Sequence, residues 1–182
     1  NIPANRLSSQ LDLGGPAFSV QAGEASGTTA LSLAMRALRA RELDAALVGA
    51  ADLSCEKVHS SAVGALADGT ANPPGDAAVV LVVKRLEDAE RDGDRVWALI
   101  EEQGGADGEG REEGGAPLLL SGEGSTSLVP RFGHAHAASD LVHVAAAALS
   151  LHHSRLPGGR PWLPSGTFSR AACVAVPNGP SI

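Results

Sequence analysis

The chain has 182 residues and a formal net charge of −7; 43% of its residues are hydrophobic and only 3% are aromatic. This length allows one compact domain with an aliphatic core, while the acidic balance and the lack of clustered Lys and Arg exclude a nucleic-acid-binding surface. Two cysteines argue against a secreted disulfide scaffold and favour the cytoplasm, and no uncharged apolar stretch reaches the length of a membrane span.

The predicted elements alternate between strands and helices along the chain. Short runs of β-forming apolar residues predict strands, and apolar residues at spacings of three and four predict helices. The strands are expected at 18–22, 45–51, 76–83, 96–101, 118–120 and 171–176. The helices are expected at 26–41, 86–92 and 137–153, with a strand end and turn at 11–15. Because the runs at 45–51 and 76–83 are apolar on both faces, helices should cover both faces of the sheet, which predicts an α/β architecture.

A change in composition divides the chain into two segments. Residues 103–116 are rich in glycine and acidic side chains, which is typical of a linker. We therefore expect a first segment at 1–102 and a C-terminal segment at 117–182. The arginines at 36, 39 and 41 are expected on the solvated face of their helix.

The tight turn between the strand at 18–22 and the helix at 26–41 is the first candidate site. Such a turn presents one side chain at the helix N-terminus, where unpaired amides and the helix dipole favour negative charge. A cysteine there would be a thiolate nucleophile, but this chain has Glu24. On spacing alone, an ordinary helix cap is the better interpretation of Glu24.

Other polar residues have structural interpretations beside functional ones. Ser26 lacks the Gly-x-Ser-x-Gly frame of a hydrolase nucleophile, so a role in starting the helix fits better. His134 and His136, with the later histidines, could attract a metal, but no cysteine or carboxylate cluster completes a ligand set, and we predict none. Cys55 is expected to be a buried, inert thiol whose acidic neighbours raise its pKa.

Several stretches follow one another in the order found in the β-ketoacyl synthase family, which the chain resembles over most of its length. The stretches are NRL at 5–7 with LDLGGPAFSV at 11–20, GDAAVVLVVKRL at 75–86, DAERDGDR at 88–95, FGH at 132–134 and LSLHHSRLP at 149–157. In this alignment the nucleophilic cysteine of the family falls on Glu24, and its second catalytic histidine falls on His134.

The resemblance implies a thiolase-like, layered αβα fold that is truncated relative to a full ketosynthase. It also implies acyl chemistry on thioesters of an acyl carrier protein, whose phosphopantetheine belongs to that partner; no cofactor is expected on this chain. The departures are specific. The first histidine of the family has no counterpart, its lysine falls on Val129, its asparagine falls on Arg131, and its terminal glycine-rich loop is missing.

These departures predict a domain that does not condense acyl chains on its own, because a carboxylate could form only a mixed anhydride that water destroys. The resemblance is strongest to chain-length-factor domains of polyketide or polyunsaturated fatty acid synthases. Such a domain would pair with an active ketosynthase, or with itself, along the strand at 18–22. Two alternatives remain: a malonyl-thioester decarboxylase using His134 with a protonated Glu24, and a degenerate structural segment of a synthase.

Overall fold

The computed structural model describes residues 2–66, 72–100, 118–120, 128–159, 161 and 172–174. Its helices are α1 (Ile2–Gln10), α2 (Ser26–Arg39), α3 (Lys57–Leu66), α4 (Leu86–Asp92), α5 (Val129–Phe132) and α6 (Ser139–His153), with a 3-10 turn at His136–Ala138. Its strands are β1 (Ala45–Leu53), β2 (Asp76–Lys84), β3 (Leu118–Leu120) and β4 (Ala172–Val174). The linker predicted at 103–116 lies outside the described residues, so the division into two segments stays a prediction.

The predicted helices and four of the six predicted strands are confirmed. Helix α2 ends two residues before the predicted boundary because Arg41 adopts a left-handed φ of 58°. Helix α6 ends at His153, as predicted, where Ser154 takes the left-handed conformation. Of the last predicted strand, residues 172–174 are described, and they form β4.

Two predicted strands are wrong: the one at 18–22, and the one at 96–101 over its described residues 96–100. Both segments have β-forming side chains, but a strand also needs a hydrogen-bonded neighbour, and residues 16–21 and 94–100 pair with no described strand. Ala22 forms only an isolated bridge to Glu24, and Phe18 is 53% exposed. The strand end expected near Leu11 is also wrong, because α1 precedes the turn there. Pro3 suits the first turn of that helix.

The larger sheet is an antiparallel pair. β1 and β2 are aligned along their whole length, with Ala45 opposite Lys84 and Leu53 opposite Asp76. β3 and β4 form a separate parallel pair. Because side chains alternate between the faces of a strand, the register of β1 and β2 divides their side chains into an inner and an outer face.

The core lies on the inner face of the β1–β2 sheet. Leu31 of α2 and Leu141 of α6 are fully buried against each other and against Val48 of β1, with other aliphatic side chains around them. This cluster joins residues from before and after the predicted linker, so both parts of the chain contribute to one core. It also explains Gly27, where an added Cβ would lie 2.9 Å from the Leu141 side chain.

The outer face of the same sheet is not covered. Leu47, Leu53, Val80 and Val82 are between 43% and 73% exposed, and they share this face. The expectation that helices cover both faces is therefore wrong for the part of the chain that the structure describes. Apolar character on both faces of a strand shows that a face can be buried, but it does not supply the helix that buries it.

A group of ionic and hydrogen bonds, the Arg85 cluster, ties α2 to α4 at one end of the sheet. Arg85 pairs with Asp88 and Asp44, and it donates to the carbonyl oxygens of Leu38 at 2.9 Å and Leu43 at 2.5 Å. Asp88 also accepts from Arg91 at 2.5 Å. Asp88 is only 3% exposed. Although burial would raise its pKa, the hydrogen bonds from Arg85 and Arg91 hold the pKa of Asp88 below its ordinary value.

Candidate functional site

The turn before α2 is closed by its own hydrogen bonds. Gly23 has a φ of +61°, and the Ser26 hydroxyl donates to the Gly23 carbonyl at 2.6 Å while it accepts from the Ala22 amide at 2.9 Å. Ser26 is the first residue of α2, but its hydroxyl closes the preceding turn and does not cap the amides of the helix. Glu24 is exposed at the turn, before the helix, and no side-chain cap bond is made at the helix start. The interpretation of Glu24 as a helix cap is therefore wrong.

The backbone, rather than the side chain, places His134. Its amide donates to the Pro73 carbonyl at 2.7 Å, and its own carbonyl accepts from the Gly75 amide at 3.0 Å. The two stretches of chain can approach this closely only because both have glycine there. An added Cβ on Gly75 would overlap the carbonyl oxygen of Phe132, and one on Gly133 would overlap that of Pro74. The Gly-His motif is thus a crossing point that holds His134 beside β2.

The tautomer of the His134 ring follows from its neighbour. The backbone amide of His136 donates to His134 Nδ1 at 3.3 Å, so in the neutral ring the proton lies on Nε2. His136 has a φ of +37°, a conformation that non-glycine residues rarely adopt. Its Nδ1 lies 3.8 Å from Asp52 Oδ2, and Asp52 Oδ1 accepts from the Ser54 hydroxyl at 2.7 Å.

One small pocket brings the predicted site residues together. Glu24 and His134 line the same cavity of about 30 Å³, although 110 positions of sequence separate them. The remaining lining residues are Ala25, His136, Ser139, Asp140 and His143. The structure therefore places the two predicted residues on the same pocket.

Asp140 and His143 are site residues that the sequence interpretation missed. Both lie in the first turns of α6, three residues apart, so they share one face of that helix. Helix α6 packs against α2. Burial raises the pKa of Asp140; His143, His134 and Thr28 oppose this rise, and the Glu24 carboxylate adds to it. Their position at the beginning of the predicted helix was visible in the sequence, but the packing of that helix against α2 was not.

The remaining candidates lie elsewhere. Cys55 is exposed, so the expectation of a buried thiol is wrong, whereas the predicted direction of its pKa is confirmed: desolvation and the neighbouring Asp76 raise it. Cys55 does not line the pocket. Within the described ranges, no group of three His, Cys, Asp or Glu side chains could hold a metal ion. No helix described here is both long enough and apolar enough to cross a membrane.

Comparison with known proteins adds family information for about half of the chain. The model of the β-ketoacyl synthase N-terminal domain matches residues 1–89. A highly reducing polyketide synthase of Strobilurus tenacellus is 39% identical over 110 residues, which are 53% of this chain and 4% of that protein. A phenolphthiocerol/phthiocerol polyketide synthase of Mycobacterium tuberculosis is 39% identical over 113 residues, 55% of this chain and 6% of that protein. The chain thus spans only a small part of these relatives.

Solved structures extend the likeness to almost the whole chain. The ketosynthase from module 6 of the bacillaene synthase of Bacillus subtilis 168 superposes with a TM-score of 0.73 at 20% identity. The match covers 95% of this chain and 47% of that ketosynthase. A type II polyketide synthase structure, an acyl-carrier protein in complex with its ketosynthase bound to the hexaketide, gives a TM-score of 0.62 at 14% identity, covering 94% and 59%. The predicted thiolase-like fold, truncated relative to a full domain, is confirmed.

Proposed function

We propose that this chain, whose residues 1–89 match the β-ketoacyl synthase N-terminal domain, is a non-condensing, chain-length-factor type domain that works beside an active ketosynthase in polyketide or fatty acid biosynthesis. The observation that carries this proposal is the pairing of Glu24 with His134 in one pocket. Glu24 occupies the turn at which the family presents its cysteine. No cysteine lines this pocket among the described residues.

The chemistry of the pocket supports a non-condensing role. Condensation requires a nucleophile that holds the acyl chain through several steps, and a thiolate does so as a thioester. A carboxylate would form a mixed anhydride, which water hydrolyses quickly. Glutamate also supplies a negative charge where condensation develops another, so it works against the enolate rather than for it.

The partners follow from the same proposal. An active ketosynthase would supply the nucleophile, and the acyl chain would arrive on the phosphopantetheine of an acyl carrier protein in the cytoplasm. Glu24 and His134 would then line part of the space that limits chain length. Two lines of support are the polyketide synthase relatives and a structural neighbour that contains an acyl-carrier protein with its ketosynthase.

Native mass spectrometry of the chain, alone and co-expressed with a ketosynthase of the same synthase, tests this proposal. We expect a one-to-one heterodimer, and we expect enlarged or reduced side chains at position 24 to shift product length without abolishing product. Glu87→Gln is a matched control, because Glu87 is an exposed carboxylate remote from the pocket, paired with Arg41. A monomer or homodimer indifferent to the ketosynthase would contradict the proposal. Unchanged product length and yield after deletion would favour a structural segment.

One observation favours malonyl-thioester decarboxylation as a second candidate. The amide of His136 leaves His134 with a proton on Nε2, which could donate to the oxygen of the enolate formed when carbon dioxide leaves. This candidate requires Glu24 to be protonated. A carbon dioxide release assay on the chain and on Glu24→Gln separates the two functions, because glutamine supplies an N–H donor without a charge. Release by the unmodified chain would establish the decarboxylase, and silence from both proteins would reject it.

A further inference from the structure

The residues that follow α4 are attached to the last turn of α6 by four side chains, which we call the latch: Arg95, Trp97, His152 and His153. The Trp97 ring stacks on the His152 ring, with 4.6 Å between the ring centroids and 23° between the ring planes. The Arg95 guanidinium carbon lies 5.4 Å from the centroid of the Trp97 ring, and the His153 ring meets the other two rings edge-on. Residues 94–100 pair with no described strand, so the latch provides an attachment that backbone pairing does not.

One hydrogen bond in the latch depends on the protonation state of His152. Arg95 Nη2 lies 2.8 Å from His152 Nε2. A guanidinium only donates and stays protonated, so Nε2 must be the acceptor and the neutral ring carries its proton on Nδ1. A second proton, placed on Nε2, would set two donors against each other at this distance. The closed latch therefore requires a neutral His152.

The surroundings of His152 oppose its protonation. Burial lowers the pKa of His152 most, and the charges of Arg95, across the latch, and of His153, on the same helix, lower it further. No carboxylate is among the described groups that act on this ring. The carbonyl end of α6 favours a cation, but it carries only about half a charge, whereas the guanidinium carries a full charge in direct contact with the ring. Because His152 is partly exposed, protons reach the ring from solvent.

We propose that the latch is an acid-sensitive device: protonation of His152 breaks its hydrogen bond to Arg95 and releases residues 94–97 from the end of α6. Because the pKa of His152 is lower in the folded chain than its ordinary value of 6.5, the latch stabilises the fold fully above pH 6.5, and this contribution is lost as pH falls through the folded value. The latch is thus closed at pH 7 and opens at a pH below 6.5. This inference does not depend on the proposed function, since no latch residue lines the pocket at Glu24.

An NMR titration of the full chain between pH 8 and pH 4 tests the latch without any substitution. We expect the ring signals of His152 to titrate with a midpoint below the ordinary value of 6.5. Nuclear Overhauser contacts between the Trp97 and His152 rings should be present at pH 8 and lost below that midpoint. Contacts between Leu31 and Leu141 should persist through the midpoint, because both side chains are fully buried in the core.

Three variants assign the transition to its residues. Arg95→Met removes the donor and the positive charge, so the midpoint of His152 should rise toward 6.5. His152→Phe keeps a ring against Trp97 but cannot be protonated, so the contacts between the two rings should persist at low pH. His59→Phe makes the same substitution in α3, outside the latch, and should leave the titration of His152 unchanged.

Several results would overturn the inference. These are a His152 midpoint at or above 6.5, ring contacts that survive the protonation of His152, and an Arg95→Met variant with an unchanged midpoint. Loss of the contacts between Leu31 and Leu141 at the same midpoint would also overturn it, because the chain would then unfold as a whole. Circular dichroism identifies a variant that does not fold, and in that case the titration of the unmodified chain decides.

Discussion

The Arg85 cluster and the pocket at Glu24 both place polar side chains at helix ends. They differ in whether the buried polar groups have partners. In the Arg85 cluster each buried charge has a partner, and Asp88 accepts from two arginines. In the pocket, burial raises the pKa of Asp140 and His143 Nε2 has no described partner. A fully paired cluster holds elements together, whereas unpaired groups cost stability and are kept where a ligand can use them. Four predictions test this difference, in order of decreasing effect.

Removing Arg85 should have the largest effect. Arg85→Met would leave Asp88 buried without its main partner and would free the carbonyls of Leu38 and Leu43. We expect a fall in Tm on the order of 10 °C, because breaking a buried pair from one side leaves an uncompensated charge. Thermal unfolding followed by circular dichroism measures it. Arg91→Gln is the control, since that side chain is 66% exposed and should matter much less. Equal losses in the two variants would contradict the assignment.

The second prediction compares Gly133, beside the pocket, with Gly93, at the end of α4; both have a φ of +72°. Gly133→Ala should cost about 3 kcal/mol and displace His134, because the new Cβ would overlap the Pro74 carbonyl as well as strain the backbone. Gly93→Ala at the end of α4 should cost about 1 kcal/mol, since nothing lies near its Cβ. Denaturant unfolding gives both values. If the two costs were equal, backbone conformation alone would explain Gly133, and the close crossing would contribute nothing.

The two regions should respond to pH with opposite signs. The pKa of Asp88 is lowered in the folded state, so its ionised form stabilises the fold above the ordinary aspartate pKa of 3.8, and this contribution is lost as pH falls through the folded value. The pKa of Asp140 is raised, so its ionisation opposes folding once pH rises above 3.8. At pH 7 Asp88→Asn should therefore lower Tm, and Asp140→Asn should raise it by a few degrees.

Melting curves of both variants between pH 7 and pH 3 provide the measurement. Each difference from the unmodified chain should shrink as the carboxyl in question becomes protonated. Shifts of the same sign at pH 7 would show that the two regions are not built in opposite ways.

The smallest effect is expected at the rim of the Arg85 cluster. Lys84 pairs with Asp92 at 2.5 Å and Asp94 at 2.6 Å, and hydrogen bonds from Arg91 and Lys84 lower the pKa of Asp92 to about 2. Asp94 is 51% exposed, so Asp94→Asn should change Tm by about 1 °C or less. The same melt at high salt should erase even this change. A larger fall in Tm would show that the exposed ion pair with Asp94 also stabilises the fold.

Sequence patterns predicted the elements whose information is local. Helix α2 follows from the spacing of Leu31, Met35 and Leu38, and β1 and β2 follow from continuous apolar runs. The strands at 18–22 and 96–101 were wrong because pairing depends on a neighbour that a local pattern does not contain. The uncovered face of the sheet was missed for the same reason.

The candidate site divides in the same way. Glu24 and His134 were found because each lies in a recognisable motif, the turn before a helix and the Gly-His pair. Asp140 and His143 were missed because their meaning comes from the packing of α6 against α2, which brings them to the turn. A buried, half-bonded imidazole has no signature in sequence.

The uncovered outer face of the sheet has a practical consequence for anyone who purifies this chain. Val80 and Val82 are 65% and 73% exposed on a two-stranded sheet, and exposed apolar β-structure promotes sticking between molecules. Concentrated preparations should therefore lose monodispersity in light scattering well before they unfold. Dilute protein, moderate ionic strength and a mild detergent should keep the chain monodisperse. Turbidity at high concentration would then reflect association through this face and not misfolding of the core.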